Sequence, residues 1–232
     1  MDKTERLPIR RVESGEIDSV DDVVVIEQDV TLEVDGEPLI QTTCSPGELG
    51  EWVIGYLFSE GLIGDPSDVH EIRHVGGRFA VCLALRPNPG PPQPVESDLV
   101  VGIDRLLEAA AEIIERARTF TMTGGTHAMA IADRALILTM VEDISRTCAL
   151  EKAIGEALLG GIAFDRSFAL LSSRVPSRMI VKLARCGVPI AAAVSAPTAQ
   201  AVQLARDLDV CLCGFVRGER LNVYTHGWRL DL

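Results

Sequence analysis

The apolar positions change period along the chain, and the changes divide it. Residues 23–34 are crowded with β-branched side chains, which predicts strand. Asp35-Gly36 is a hairpin signal, and residues 39–43 can return as the partner strand. Ser45-Pro46-Gly47-Glu48 then has the form of a helix start. Ser45 can cap, Pro46 fits the first turn, and Glu48 stands at capping-box spacing. The helix so begun carries Leu49, Trp52, Val53, Tyr56 and Leu57 on one apolar face and stops at Gly61. Residues 79–85 read as a further strand. Residues 1–85 are therefore expected to form a small β-rich unit with one main helix.

The pattern breaks at Arg86-Pro87-Asn88-Pro89-Gly90-Pro91-Pro92-Gln93-Pro94. These prolines remove backbone donors and fix φ, so neither helix nor central strand continues. Residues 86–97 are expected to be an interdomain linker. Beyond it, Ile103, Leu106, Leu107, Ala110, Ile113, Ile114 and Ala117 recur at helical spacing. Residues 128–132 and 135–141 are short apolar runs, and residues 149–159 look helical. Residues 168–171, 188–194 and 210–215 are buried-strand candidates separated by helices near 176–185 and 198–208. Such alternation implies a parallel or mixed sheet with right-handed crossovers, so residues 98–232 are expected to be an α/β layer domain.

Composition narrows the class. At 232 residues and 47% hydrophobic content the chain needs no disulfide or metal to fold, and it is not disordered. No apolar run approaches the roughly 18 residues of a membrane helix, and the charged start lacks a signal-peptide core. A net charge of −12, no basic run and 4% aromatics argue against a nucleic-acid partner. A cytoplasmic protein with no membrane partner is expected. The six cysteines are Cys44, Cys82, Cys148, Cys186, Cys211 and Cys213, and they contain no C-x-x-C pair. No zinc is expected, and all except Cys148 read as buried thiols.

Candidate chemistry gathers at strand-to-helix turns, where open α/β sheets place ligands. In Thr123-Gly124-Gly125-Thr126-His127 the glycines let backbone N–H groups approach an anion, and His127 can donate to a phosphate or move a proton. The plain alternative is a glycine turn with a hydrogen-bonded histidine. In Glu142-Asp143-Ile144-Ser145-Arg146-Thr147-Cys148, Arg146 can fork onto a phosphate. Cys148 stands near a helix start that favours thiolate. The alternative there is a surface ion pair among Glu142, Asp143 and Arg146, with a buried thiol. Ser172-Ser173-Arg174 and Ser195-Ala196-Pro197-Thr198 offer hydroxyls and helix N-termini, or simple capping. Arg217 adds a guanidinium after the last strand.

Together these motifs resemble the formate dehydrogenase accessory protein family, FdhD/NarQ. The matching stretches are Pro46-Gly47-Glu48-Leu49 through Gly55; Ser59-Glu60-Gly61-Leu62-Ile63; Thr123 to Ala128; and Glu142-Asp143-Ile144 with Arg146. Lys152, Ile154-Gly155, Ser195-Ala196-Pro197-Thr198 and Gly214-Phe215-Val216-Arg217-Gly218 follow, with Asn222 and Tyr224. The resemblance implies a cytidine-deaminase-like α/β/α C-terminal domain and a homodimer, built mainly through that domain. It implies a carrier that takes sulfur from a cysteine desulfurase. The sulfur passes to molybdenum bis(molybdopterin guanine dinucleotide), bound as cargo through its guanine nucleotide ends, for formate dehydrogenase or another molybdenum oxidoreductase. The cargo-binding residues it points to are Thr123, Gly124, Gly125, His127, Glu142, Asp143, Arg146, Ser172, Arg174, Ser195, Pro197, Thr198 and Arg217.

The chain departs from the family where the chemistry lies. A C-x-x-C loop is expected between residues 86 and 118, and no cysteine stands there. The family's Gly-Arg-His-Asn reads Ser145-Arg146-Thr147-Cys148, its Ser-Gly-Arg turn reads Ser172-Ser173-Arg174, and a nearby glutamate is replaced by Arg178. Cys148 is left as the candidate catalytic thiol. Loss of sulfur transfer with retained cofactor binding, as a chaperone, is the alternative. A nucleotide hydrolase of deaminase type is a remote one, because its Pro-Cys-x-x-Cys half is missing. A regulatory protein that only contacts a partner enzyme is the third.

Overall fold

The computed structural model describes residues 2–84 and 89–231. A long ribbon opens the chain, β1 (Thr4–Glu13) against β2 (Glu16–Val25), joined at Ser14-Gly15 with φ of 53° and 88°. Next come β3 (Gln28–Val34) and β4 (Glu37–Cys44), joined where the hairpin signal predicts. Asp35 and Gly36 both take positive φ, 50° and 83°, as a tight hairpin turn requires. With β5 (Val69–Val75) and β6 (Arg78–Leu83) they form a sheet of order β4-β3-β6-β5. Helix α1 (Leu49–Ser59) buries Trp52, Val53 and Leu57 against Val30, Leu32, Phe79 and Val81.

The start of α1 differs from expectation. Gly47 and Glu48 both turn left-handed, φ 89° and 48°, and no side chain caps the helix. The reversal carries Ser45 away from the helix, and its hydroxyl accepts the Ile144 N–H at 3.1 Å. At the other end the expectation holds. Gly61 takes φ 75° and Leu62 N–H bonds to the Leu57 carbonyl, closing the helix as a glycine stop.

Residues 85–88, part of the expected strand and linker, lie outside the described residues. The rest of the linker has no regular structure yet is clamped to the α/β domain. Val95 N–H bonds to Leu208 O, Ser97 Oγ donates to Asp165 O, and buried Arg229 donates to the Ser97 and Val95 carbonyls. A short pair follows, β7 (Val101–Gly102) beside the terminal β14 (Leu230–Asp231).

The α/β domain is built from α2 (Ile103–Arg116), α3 (Arg118–Thr123), β8 (His127–Ala132), β9 (Ile137–Asp143), α4 (Arg146–Leu159), β10 (Phe168–Leu171), α5 (Ser177–Arg185), β11 (Ile190–Ala193), α6 (Ala199–Asp207), β12 (Cys211–Arg217) and β13 (Arg220–Val223). Its sheet has the order β13-β12-β11-β10-β8-β9, parallel through β10, β11 and β12 and antiparallel at both margins. Alternate residues of β8 face opposite layers. Met129 and Ile131 belong to the core layer shared with α4, α5 and α6, while Ala128, Ala130 and Ala132 belong to the layer with Leu106, Ala110 and Ile113 of α2. This is the mixed α/β class expected, with a smaller β-rich N-terminal unit.

The two units are joined by crossing α1 over α4. Gly55 and Gly155 let the backbones touch, and a Cβ built at Gly55 would lie 1.8 Å from the Glu151 carbonyl oxygen. Beside the crossing, Glu151 accepts from Trp52 Nε1 at 2.8 Å and pairs with Lys182 at 3.0 Å. Lys182 also pairs with Glu60 at 2.6 Å. Burial pushes the Glu151 carboxyl upward, and Lys182 and Trp52 oppose it. Among the described residues no helix is long and apolar enough to cross a membrane.

Candidate functional site

The expected turns meet along one margin of the α/β sheet. The ends of β9, β10 and β11 and the start of β8 lie there, because β8 runs antiparallel to β10. His127 and Asp143 are paired across β8 and β9. Ser172 ties the turn after β10 to β8, accepting the Ala128 N–H at 2.9 Å and donating its own N–H to the Ala128 carbonyl. The turns after β10 and β11 are zipped together by Val175 N–H to Ala196 O and Thr198 N–H to Val175 O. Gly214 completes the row, since a Cβ there would stand 2.9 Å from Pro197 and 3.2 Å from the Ser195 carbonyl oxygen.

His127 is half-buried and shares the parity of Met129 and Ile131, so it points to the side from which α4 starts. Burial holds its imidazole below the usual range, and Arg146 and Arg174 push it lower against Asp143. It is therefore neutral at pH 7. Arg146 is partly exposed at the first turn of α4, and Arg174 is exposed in the turn after β10. An imidazole with the charges of Arg146 and Arg174 in its surroundings is the chemical centre of this margin.

Other expected residues serve the scaffold. Thr123 Oγ1 accepts the Gly125 N–H and donates to Thr119 O, while Gly124, φ 67°, ends α3. A Cβ at Gly125 would press to 2.9 Å from Val25. Thr198 caps α6 through Ala201 N–H, and Ser145 caps α4 through Cys148 N–H. Arg217 is exposed beyond Gly214 in the β12–β13 hairpin, its guanidinium 5.7 Å from the Phe215 ring.

Glu142 and Asp143 form no surface ion pair with Arg146. Glu142 accepts Thr119 N–H at 2.9 Å, Phe120 N–H at 2.7 Å and the Thr126 hydroxyl at 3.0 Å, and so fixes the start of α3. Glu142→Gln keeps the shape but turns an N–H₂ toward donors. It is expected to cost about 1–2 kcal/mol, read as a lower midpoint in urea unfolding. Asp143 is fully buried and accepts from Lys152 Nζ at 2.7 Å, Ser45 N–H at 3.1 Å and Ser145 N–H at 2.8 Å. This pair with Lys152, and the Glu151–Lys182–Glu60 chain, escaped sequence reasoning. The local signals were lysines set among apolar residues, Lys182 beside Met179, Ile180 and Leu183, and Lys152 beside Leu150, Ala153 and Ile154.

Cys148 lies in the first turn of α4 but is only 2% exposed. The neighbouring Cys44 lowers the Cys148 thiol while its own is raised; burial opposes the first shift and adds to the second. Cys186, Cys211 and Cys213 are buried as expected, whereas Cys82 is exposed on β6. The apolar alternation of β6 places Phe79 and Val81 inward, so Cys82 must face out. Among the described residues no group of three or more His, Cys, Asp or Glu side chains is arranged to hold a metal ion.

Comparison with known proteins accounts for this arrangement. The sequence model of the FdhD/NarQ family matches residues 25–90 and 88–231. The sulfur carrier protein FdhD of Shouchella clausii is 31% identical over 97% of this chain and 96% of its own length. That of Anaeromyxobacter sp. strain K is 34% identical over 92% and 90%. A crystal structure described as a formate dehydrogenase accessory protein from Desulfotalea psychrophila superposes with a TM-score of 0.89 at 22% identity. It covers 99% of this chain and shares its fold. With the family's motifs ranged along one sheet margin and its sequence matched nearly end to end, the chain belongs to the FdhD/NarQ family of sulfur carrier and formate dehydrogenase accessory proteins.

Proposed function

We propose that this chain serves a molybdenum oxidoreductase of the formate dehydrogenase type by holding bis(molybdopterin guanine dinucleotide) through its anionic nucleotide ends. The observation that carries this reading is that half-buried His127 at the start of β8, Arg146 at the start of α4 and Arg174 after β10 stand along one margin of the sheet. Two guanidiniums offer forked, charge-assisted hydrogen bonds to phosphate oxygens. His127 can donate one hydrogen bond and accept another without adding charge. The start of α4 contributes its positive end beside Arg146. On a chain of net charge −12, a local cationic margin gives an anionic cargo one favourable place to land. The reading includes a homodimer through the α/β domain, as the family resemblance implies.

Titration with guanosine diphosphate tests it. Saturable binding is expected, with Arg146→Ala and Arg174→Ala each weakening it at least about tenfold, the loss of one charged contact of roughly 1.4 kcal/mol. Absence of saturable binding by the wild type would sink the proposal.

Sulfur transfer is the second half of the family's role, and one feature here favours it. The Cys148 thiol is held low by Cys44 at a capped helix start, so its thiolate is the nucleophile of choice for sulfur from a cysteine desulfurase. Its burial places this step behind cofactor binding in our reading, since a donor reaches the sulfur only when the start of α4 opens. Incubation with a desulfurase and cysteine, followed by mass analysis for one added sulfur atom on Cys148, separates a carrier from a binder that no longer carries sulfur.

A further inference from the structure

We propose that Cys44 and Cys148 form a reversible disulfide that locks the N-terminal unit onto the α/β domain. Cys44 ends β4 and is fully buried, and Cys148 opens α4 and is nearly so. Among the described residues, Cys148 is the single residue of the α/β domain in the buried N-terminal core. Its sulfur lies 3.8 Å from Thr42 Oγ1, and Thr42 and Cys44 share one face of β4. The sulfur therefore rests on the face that carries the Cys44 thiol, and the two thiols share one buried cluster across the boundary between the units. A nucleophile and its partner are thus buried side by side in one cluster.

The oxidant is hydrogen peroxide, small enough to reach a sulfur that is 2% exposed. The Cys148 thiolate attacks the peroxide O–O bond, forming S–O and releasing hydroxide, which takes up a proton as water. Cys44 then gives up its proton, and its sulfur attacks the Cys148 sulfur. The S–S bond forms, the S–O bond breaks, and the oxygen leaves as a second water. Two thiols and one peroxide become one disulfide and two waters. The bond closes a loop running from residue 44 to 148, roughly a hundred residues, so the oxidised chain is expected to melt up to about 10 °C higher. Where Cys148 carries sulfur, the same bond withdraws it from loading; that consequence alone rests on the sulfur-transfer reading.

The test treats the folded full chain with hydrogen peroxide, blocks free thiols and maps unreduced peptides by mass spectrometry. The expected result is a peptide linking Cys44 to Cys148, reversed by dithiothreitol. In Cys44→Ser the link is lost, and a sulfenic acid on Cys148 becomes trappable by dimedone. Oxidation confined to exposed Cys82, or a link between Cys211 and Cys213 (sulfurs 4.0 Å apart) with Cys44 and Cys148 left free, overturns the proposal. The wild-type map decides even if the variant fails to fold. It is independent of sulfur loading, so failure of the carrier reading leaves this result intact.

Discussion

Lys152→Met is expected to destabilise the protein by about 3–5 kcal/mol and to lower its melting temperature by roughly 10 °C. Lys152 Nζ stands 2.7 Å from Asp143 Oδ2 and 2.7 Å from the Ser45 carbonyl, and both charged side chains are wholly buried. The substitution keeps the volume of the stem and removes the ammonium that faces a carboxylate water does not reach. Two backbone N–H groups, of Ser45 and Ser145, still face Asp143 but do not neutralise it. A buried charge left without its partner costs far more than the pair is worth as a contact. Asp143→Asn combined with Lys152→Met removes both charges, and is expected to recover more than half of the loss. Urea unfolding measures both. A single-variant cost under about 1 kcal/mol would show that the carboxylate finds water or another cation.

Gly55→Ala is expected to be comparably severe. The added methyl would meet the Glu151 carbonyl oxygen at 1.8 Å and the Gly155 nitrogen at 2.7 Å. Both are backbone atoms of α4, so no side chain can swing aside. The helices must part by more than an ångström, which opens the surrounding core and stretches the Trp52 to Glu151 hydrogen bond. Overpacking of this kind costs about 3 kcal/mol or more. Gly155→Ala mirrors it, with its Cβ 1.9 Å from the Glu51 carbonyl oxygen. Gly50→Ala is the control, because it is exposed on the same helix and meets nothing within 4 Å. There the better helix former is expected to add up to about 1 kcal/mol. Thermal melts compare the three, and a Gly55→Ala variant melting within about 2 °C of wild type would refute so close a crossing.

Much of the α/β domain was legible because its strands are buried on both faces. Residues 168–171 read as an unbroken apolar run and form β10 with every residue buried. The spacing of Leu106, Ala110 and Ile113 likewise belongs to α2 alone, and the Asp35-Gly36 turn carries its conformation in two residues. The β1–β2 ribbon was missed because both its faces are largely exposed, so no apolar alternation marks it. Cys82 was misjudged because a cysteine's type does not say which face of a strand it takes.

The site divides the same way. The sequence by itself determined which turns follow which strands, and hence that His127, Arg146 and Arg174 stand at one margin of one sheet. Periodicity and turn chemistry are properties of contiguous residues, and they survive without the rest of the molecule. Only the tertiary structure decided what the polar groups do there. Glu142 turns back to α3, Asp143 is spent on Lys152 and on Ser45, 98 positions earlier, and Cys148 is sealed beside Cys44 rather than open to solvent. Lys182 reaches Ser59 and Glu60 across more than a hundred residues. Such pairings arise because a docked interface must satisfy every charge it buries, and no local spacing records which distant group will be there to do it.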